Sequence, residues 1–191
     1  MNTQIIPGLN YFSLIRKFEI LEGPETFVLA PEGLSRFYWQ GFDGRVGASW
    51  MTREDRLSEI DDYCQFFQGL WEEYRPKMPE HIRVHLLGFS QGVPSVLRWI
   101  QRHRIPFSNI VLWAGMPPED PFREGDNIHL QSGRIHFVCG EKDPYFNLER
   151  LKQVEDWAAI HHVSLEQHFF DGVHEVDRTV LKKLADAISG P

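Results

Sequence analysis

Apolar residues in this chain fall into two rhythms. Short apolar runs stop abruptly at turn formers, and between them apolar positions recur every three or four residues. The runs at 27–30, 83–87, 109–113, 134–139 and 165–170 have strand length and end at Pro31, Gly88, Ala114-Gly115, Gly140 and Asp171-Gly172. Such breakers close strands. Within 53–74, Leu57, Ile60, Cys64, Phe67, Leu70 and Tyr74 keep helical spacing, which predicts an amphipathic helix. Helices are also predicted over 93–102, 147–160 and 176–188, with Asn147 as an N-cap. Pro94 falls in a first helical turn, where no backbone donor is needed. Strands alternating with helices predict an α/β fold, a mostly parallel sheet with helices on both faces. Side chains in the loops after the carboxyl ends of such strands are where chemistry collects.

Composition narrows the picture. The 191 residues suit one domain, 1–191, with a substantial core. Twenty-seven acidic against 20 basic side chains give a net charge of -7, which argues against a nucleic-acid partner. No apolar run has membrane-spanning length, and residues 1–17 lack the pattern of a secretory signal. The two cysteines, Cys64 and Cys139, fall on a predicted helix and at a strand end. They read as buried small hydrophobes, not as a disulfide framework. A cytoplasmic setting without a membrane partner is the expectation. No His/Cys/Asp group shows metal-ligand spacing, so no metal and no cofactor are expected. The irregular stretch 117–133 reads as a surface excursion too short for a cap domain.

The sharpest local signal is Gly88-Phe89-Ser90-Gln91-Gly92. Given 15 glycines and 10 serines in 191 residues, roughly 0.06 chance matches to G-x-S-x-G are expected in the whole chain. The pattern follows a predicted strand and opens a predicted helix, the context of a nucleophile elbow. The alternative is a serine that only caps the helix. A serine hydroxyl needs a base to take its proton, and the base needs a carboxylate to orient it. In α/β-hydrolases these follow in the order Ser, acid, His. Asp143, in Gly140-Glu141-Lys142-Asp143-Pro144, follows the predicted strand 134–139. Glu141 competes with it, and an ordinary Asp-Pro turn is the other reading. Of nine histidines, His174 is the one in a loop after the last predicted strand. His81, His85, His136 and His168 lie in or beside strands, His103, His161 and His162 end helices, and His129 lies in the long loop.

With these segments in view, the chain resembles the phospholipase/carboxylesterase family of small α/β-hydrolases, which includes the acyl-protein thioesterases. Besides the elbow, Ala114-Gly115-Met116-Pro117, Cys139-Gly140-Glu141-Lys142-Asp143-Pro144 and Gly172-Val173-His174-Glu175-Val176 carry the resemblance, with Leu29-Ala30-Pro31 and Trp50. It spans 27–176. It implies cofactor-free hydrolysis of small-molecule carboxylic esters or thioesters by Ser90, His174 and Asp143, with the N–H of Gln91 as an oxyanion donor. Two departures stand out. The family's His-Gly loop, source of the second donor, has no counterpart before Phe27; the nearest segment is Ile5-Ile6-Pro7-Gly8-Leu9, with Leu9 N–H as the candidate. Trp50-Met51-Thr52 also departs from the family's aromatic-aspartate pattern.

The amino-terminal part therefore reads as shortened, with almost no room for strands upstream of that segment. One missing oxyanion donor typically costs ~2.7–4 kcal/mol of transition-state stabilisation. An exposed sheet edge would also invite a homodimer. Phe89, Trp50 and Met116 are the expected substrate contacts, with Trp113, Pro117 and Phe146 as further candidates for an apolar slot; core packing is the competing reading for each. The rival expectation for the whole chain is a hydrolase-fold protein that binds or dimerises without turnover, for want of its first strand and oxyanion loop.

Overall fold

The computed structural model describes residues 2–5, 11–120, 130 and 133–189. Six strands form one sheet in the order β2-β1-β5-β6-β7-β8. They are β1 (Asn2–Ile5), β2 (Thr26–Leu29), β5 (Arg83–Phe89), β6 (Asn109–Trp113), β7 (Arg134–Gly140) and β8 (Leu165–Phe170). Every neighbouring pair is parallel. The connecting helices are α1 (Tyr11–Phe18), α2 (Arg56–Tyr74), α3 (Gly92–His103), α4 (Leu148–Ile160) and α5 (Arg178–Ile188). No cap domain is present among the described residues, and no helix among them is long and apolar enough to cross a membrane. Of the excursion at 117–133, residues 121–129 and 131–132 lie outside the described set.

Alternation along each strand sorts the core into two halves. Val84, Leu86, Ile110, Leu112, Ile135, Phe137 and Cys139 face α2, α3 and α4. Leu87, Phe89, Val111, Trp113 and Val138 face the other way, toward Leu14 and Phe18 of α1 and Leu181, Leu184 and Ala185 of α5. Helix α3 is the most deeply set. Its Val93, Val96, Leu97, Trp99 and Ile100 are fully buried, each contributing roughly 1.5–3 kcal/mol of transfer free energy. Asn147 caps α4 as its sequence predicts, its side-chain oxygen accepting from Arg150 N–H at 2.9 Å.

The structure departs from the sequence expectation in its first 50 residues. The first strand that the rival reading treats as missing is present: β1 lies inside the sheet, paired to both β2 and β5. Its residues, Asn-Thr-Gln-Ile, carry almost no apolar signal. A hairpin also escapes the sequence reading. Strands β3 (Ser35–Gln40) and β4 (Asp43–Ser49) pair antiparallel as a separate two-stranded sheet. Most of it is exposed, Phe37 and Tyr38 included, so its aromatic run Phe37-Tyr38-Trp39 marks no core strand. Helix α1 is likewise absent from the periodicity reading.

Candidate active site

Strand β5 runs two residues further than its apolar run, to Phe89, and the chain then turns sharply into α3. Ser90 carries that turn with φ +53°, in the left-handed region. For a residue with a Cβ this costs about 1–2 kcal/mol. The surroundings hold it there: Ser90 N–H donates to Trp113 O at 2.8 Å, and Val93 N–H donates to Ser90 O at 3.0 Å. The glycines admit the close approach. A Cβ on Gly88 would stand 2.6 Å from the backbone of Gly92. One on Gly115 would overlap the Ser90 carbonyl and the Val93 side chain.

The other two candidates arrive from the ends of β7 and β8. His174 Nε2 lies 3.0 Å from Ser90 Oγ, and its Nδ1 lies 2.7 Å from Asp143 Oδ2. Asp143 is 4 % exposed, and its second oxygen accepts Tyr145 N–H at 2.8 Å. The acid loop and the histidine loop are joined by Lys142 N–H donating to Gly172 O at 2.9 Å. Glu141, the competing acid, is exposed. The imidazole of His174 is held between Phe89, ring centroids 5.0 Å apart, and Tyr145, at 4.9 Å edge-on. Glu175 extends this support: its carbonyl accepts Trp113 Nε1–H at 2.9 Å, and its carboxylate pairs with Lys17 at 3.2 Å. The thiol of Cys139, beneath Asp143, is pushed up to about 12 by burial and by that carboxylate. It is therefore no competing nucleophile.

A cavity of about 400 Å³ opens over these groups. Ser90, Gln91, Met116, Tyr145, Phe146 and His174 are among its lining residues. Of the expected substrate contacts, Met116 lines it. Phe89 packs beneath His174, and Trp50 is 1 % exposed among Tyr63 and Phe67, with ring centroids 6.2 and 4.6 Å away. Neither is part of the cavity lining. The ring of Trp50 turns into the α2–α3 layer because that is where a large apolar surface can be covered. Trp113 is fully buried as well. Leu9, the candidate second donor, lies outside the described residues.

Two positioning devices were not singled out by sequence. The Gln91 side chain clamps the end of β4 to the elbow: its Oε1 accepts from Trp50 N–H at 2.9 Å and Ser49 Oγ–H at 3.2 Å, and its Nε2–H donates to Met51 O at 2.7 Å. Buried Arg98, on α3, pairs with Asp120 and donates to Tyr63 Oη at 3.2 Å. Arg56 binds the same carboxylate at 2.6 Å. Burial opposes the Asp120 charge, but the hydrogen bonds and charges of Arg56 and Arg98 outweigh it and hold the carboxyl below its ordinary value. The loop after β6 is thereby fastened over α2 and α3. Tyr145 also escaped notice, although its place two residues after Asp143 was a usable signal.

No protein-family profile matches the sequence, and no curated protein matches it significantly. Solved structures do share its fold. A carboxylesterase from Mesorhizobium loti is 16% identical, with a TM-score of 0.75 over 100% of this chain and 88% of that one. Acyl-protein thioesterase 2 from Zea mays is 15% identical, with a TM-score of 0.72 over 98% of this chain and 92% of that one. An uncharacterised protein from Bacillus cereus ATCC 10987 is 16% identical, with a TM-score of 0.71 over 99% of this chain, which spans 60% of that protein's length. The chain thus shares the α/β-hydrolase fold of these carboxylesterase and thioesterase structures.

Proposed function

We propose that this chain is a serine hydrolase of carboxylic esters or thioesters. The observation that carries the reading is the unbroken hydrogen-bonded chain from Ser90 through His174 to Asp143, 3.0 and 2.7 Å, at the floor of the cavity. The named esterase and thioesterase structures with the same fold support it.

The chemistry follows from the atoms. Asp143 Oδ2 accepts from His174 Nδ1–H, which leaves the Nε2 lone pair directed at Ser90 Oγ–H. As Oγ attacks the substrate carbonyl, His174 takes its proton and the carbonyl oxygen becomes an oxyanion. In this reading the N–H of Gln91, the residue after the nucleophile, donates to that oxyanion. Collapse of the tetrahedral species breaks the bond to the alcohol or thiol, which leaves with the proton from His174. Water, deprotonated by the same imidazole, then attacks the acyl-Ser90 ester, releasing the acid and restoring the serine. Packing of Phe89 and Tyr145 on the imidazole restricts its rotation between the two proton transfers. The cavity, about 400 Å³ and bordered by Met116 and Phe146, fits a small apolar acyl group.

We place the reaction in the cytoplasm, in a single domain covering 1–191; the two cysteines are buried and unpaired, as a reducing compartment allows. For assembly, we carry a homodimer through β2 or β8, the edges of the sheet, with light scattering as its check.

A fluorophosphonate should add one covalent label, on Ser90, and p-nitrophenyl acetate should be turned over by the wild type and not by Ser90→Ala. Absence of the label would overturn the reading. A label without turnover would favour the rival, a binding protein that keeps a hydrolase site.

A further inference from the structure

Four of the strands carry a second polar cluster, on the sheet face that α1 and α5 cover. His136 stands directly opposite Glu166 across β7 and β8. His168 lies two residues beyond Glu166 on the same strand and therefore on the same face. His136 Nδ1 is 3.3 Å from His168 Nε2 and 3.4 Å from Glu166 Oε2. All three ligand atoms lie within 4.8 Å of one another. A tetrahedral zinc ion with bonds of ~2.0–2.2 Å holds its ligand atoms roughly 3.3–3.5 Å apart. Two of the three edges already have that length. The third closes by rotation of Glu166, whose side chain is 51% exposed and free to follow.

The support behind His136 has the form a ligand histidine requires. Its Nε2 lies 3.0 Å from Asn109 Oδ1, and Asn109 Nδ2 lies 2.9 Å from His85 Nδ1. With Asn109 donating to His85 and accepting from His136 Nε2–H, the His136 lone pair is on Nδ1, directed at His168 and Glu166. Such an outer hydrogen bond fixes the tautomer and orientation of a metal-binding imidazole. His136 and Asn109 are 2 and 5 % exposed, so neither can turn away. Glu166 and the half-buried His168, on the edge strand, leave the cluster open to an ion from solvent.

We propose that His136, Glu166 and His168 form a binding site for one first-row divalent cation of the zinc type. Two imidazoles and one carboxylate suit Zn²⁺ or Co²⁺ better than Mg²⁺ or Ca²⁺, which prefer all-oxygen shells. A fourth position is left for water. The site lies away from the carboxyl ends of the strands that carry Ser90. Its effect is to fasten β8 to β7; it takes no part in ester cleavage.

The test uses the full chain without a polyhistidine tag, stripped with EDTA and titrated with Co²⁺ and then Zn²⁺. One equivalent of Co²⁺ should give the visible absorption of a tetrahedral centre, lost again when Zn²⁺ displaces it. Zinc at a hundredfold excess over its Kd should raise Tm by about 5–10 °C. His168→Ala should abolish both effects and Glu166→Gln should weaken binding at least tenfold. His162→Ala, an exposed histidine on another element, should change neither. No Co²⁺ spectrum, or one unchanged in both His168→Ala and Glu166→Gln, would overturn the proposal.

Discussion

The sheet carries two hydrogen-bonded histidine chains, and they differ mainly in what closes their ends. At the carboxyl ends of the strands, His174 has a buried carboxylate on one nitrogen and a hydroxyl on the other, and it opens on a cavity. Lower on the strands, His85 is joined through the amide of Asn109 to His136, and Leu87, Val111, Leu181 and Leu184 surround it. Among the described residues His85 Nε2 has no hydrogen-bond partner. Burial first, then Arg83 and His136, lowers the His85 pKa to about 4. An imidazole with a carboxylate behind it and solvent before it can accept and return a proton. The same ring between an amide and leucines is held neutral. Partner and solvent access, not residue type, decide between the two roles.

Asp143→Asn is the most severe test of that contrast, because it turns the upper chain into a histidine–amide chain like the lower. The amide no longer secures the Nδ1–H tautomer. The proposed mechanism predicts a fall in kcat of about 10⁴-fold with a nearly unchanged Tm, read by ester turnover and thermal melting. Retained activity would remove the basis for separating the two chains.

Acidification tests the lower chain. His85 binds its proton near pH 4 when folded and near 6.5 when unfolded. Between those values the unfolded state holds more protons, so stability falls as pH falls from about 6.5 to 4. The loss from this group is about 3 kcal/mol. Urea melts at pH 7 and pH 4.5 should show most of it, and His85→Phe should flatten the dependence.

Gly115→Ala probes how closely β6 abuts the elbow. The added methyl meets the Ser90 carbonyl, so a destabilisation of about 1–3 kcal/mol is expected, together with slower fluorophosphonate labelling of Ser90. The lower chain has no such contact with Gly115, so the Zn²⁺ affinity should be unaltered. Least is expected at Lys152→Ala, which removes an exposed pair with Asp156 on α4. That change should move stability by no more than ~0.5 kcal/mol, and a larger shift would mean that remote surface changes blur the comparison.

Much of the upper chain was legible because each member follows a strand. Gly88-x-Ser90-x-Gly92 specifies its own turn, and Asp143 and His174 come after apolar runs that end at glycine. Local pattern and chain order sufficed to single out these three. Pattern failed where burial is partial or shared. Strand β1 is polar in sequence and gains its place only from two neighbours. The β3–β4 hairpin is mostly exposed. Trp50 carries the same signal whether it lines a slot or fills a core, and only packing against Tyr63 and Phe67 resolves it.

The sequence by itself determined the alternation of strands and helices, the elbow, and which serine, acid and histidine stand after strand ends. Those features are set by short-range sterics and periodicity, which a linear chain records. Tertiary structure alone decided that Gln91 clamps β4, that Arg98 and Arg56 share Asp120, and that His136, some thirty residues from Glu166 and His168, meets them face to face. Parallel register brings such residues together through crossovers whose lengths carry no trace of the contact.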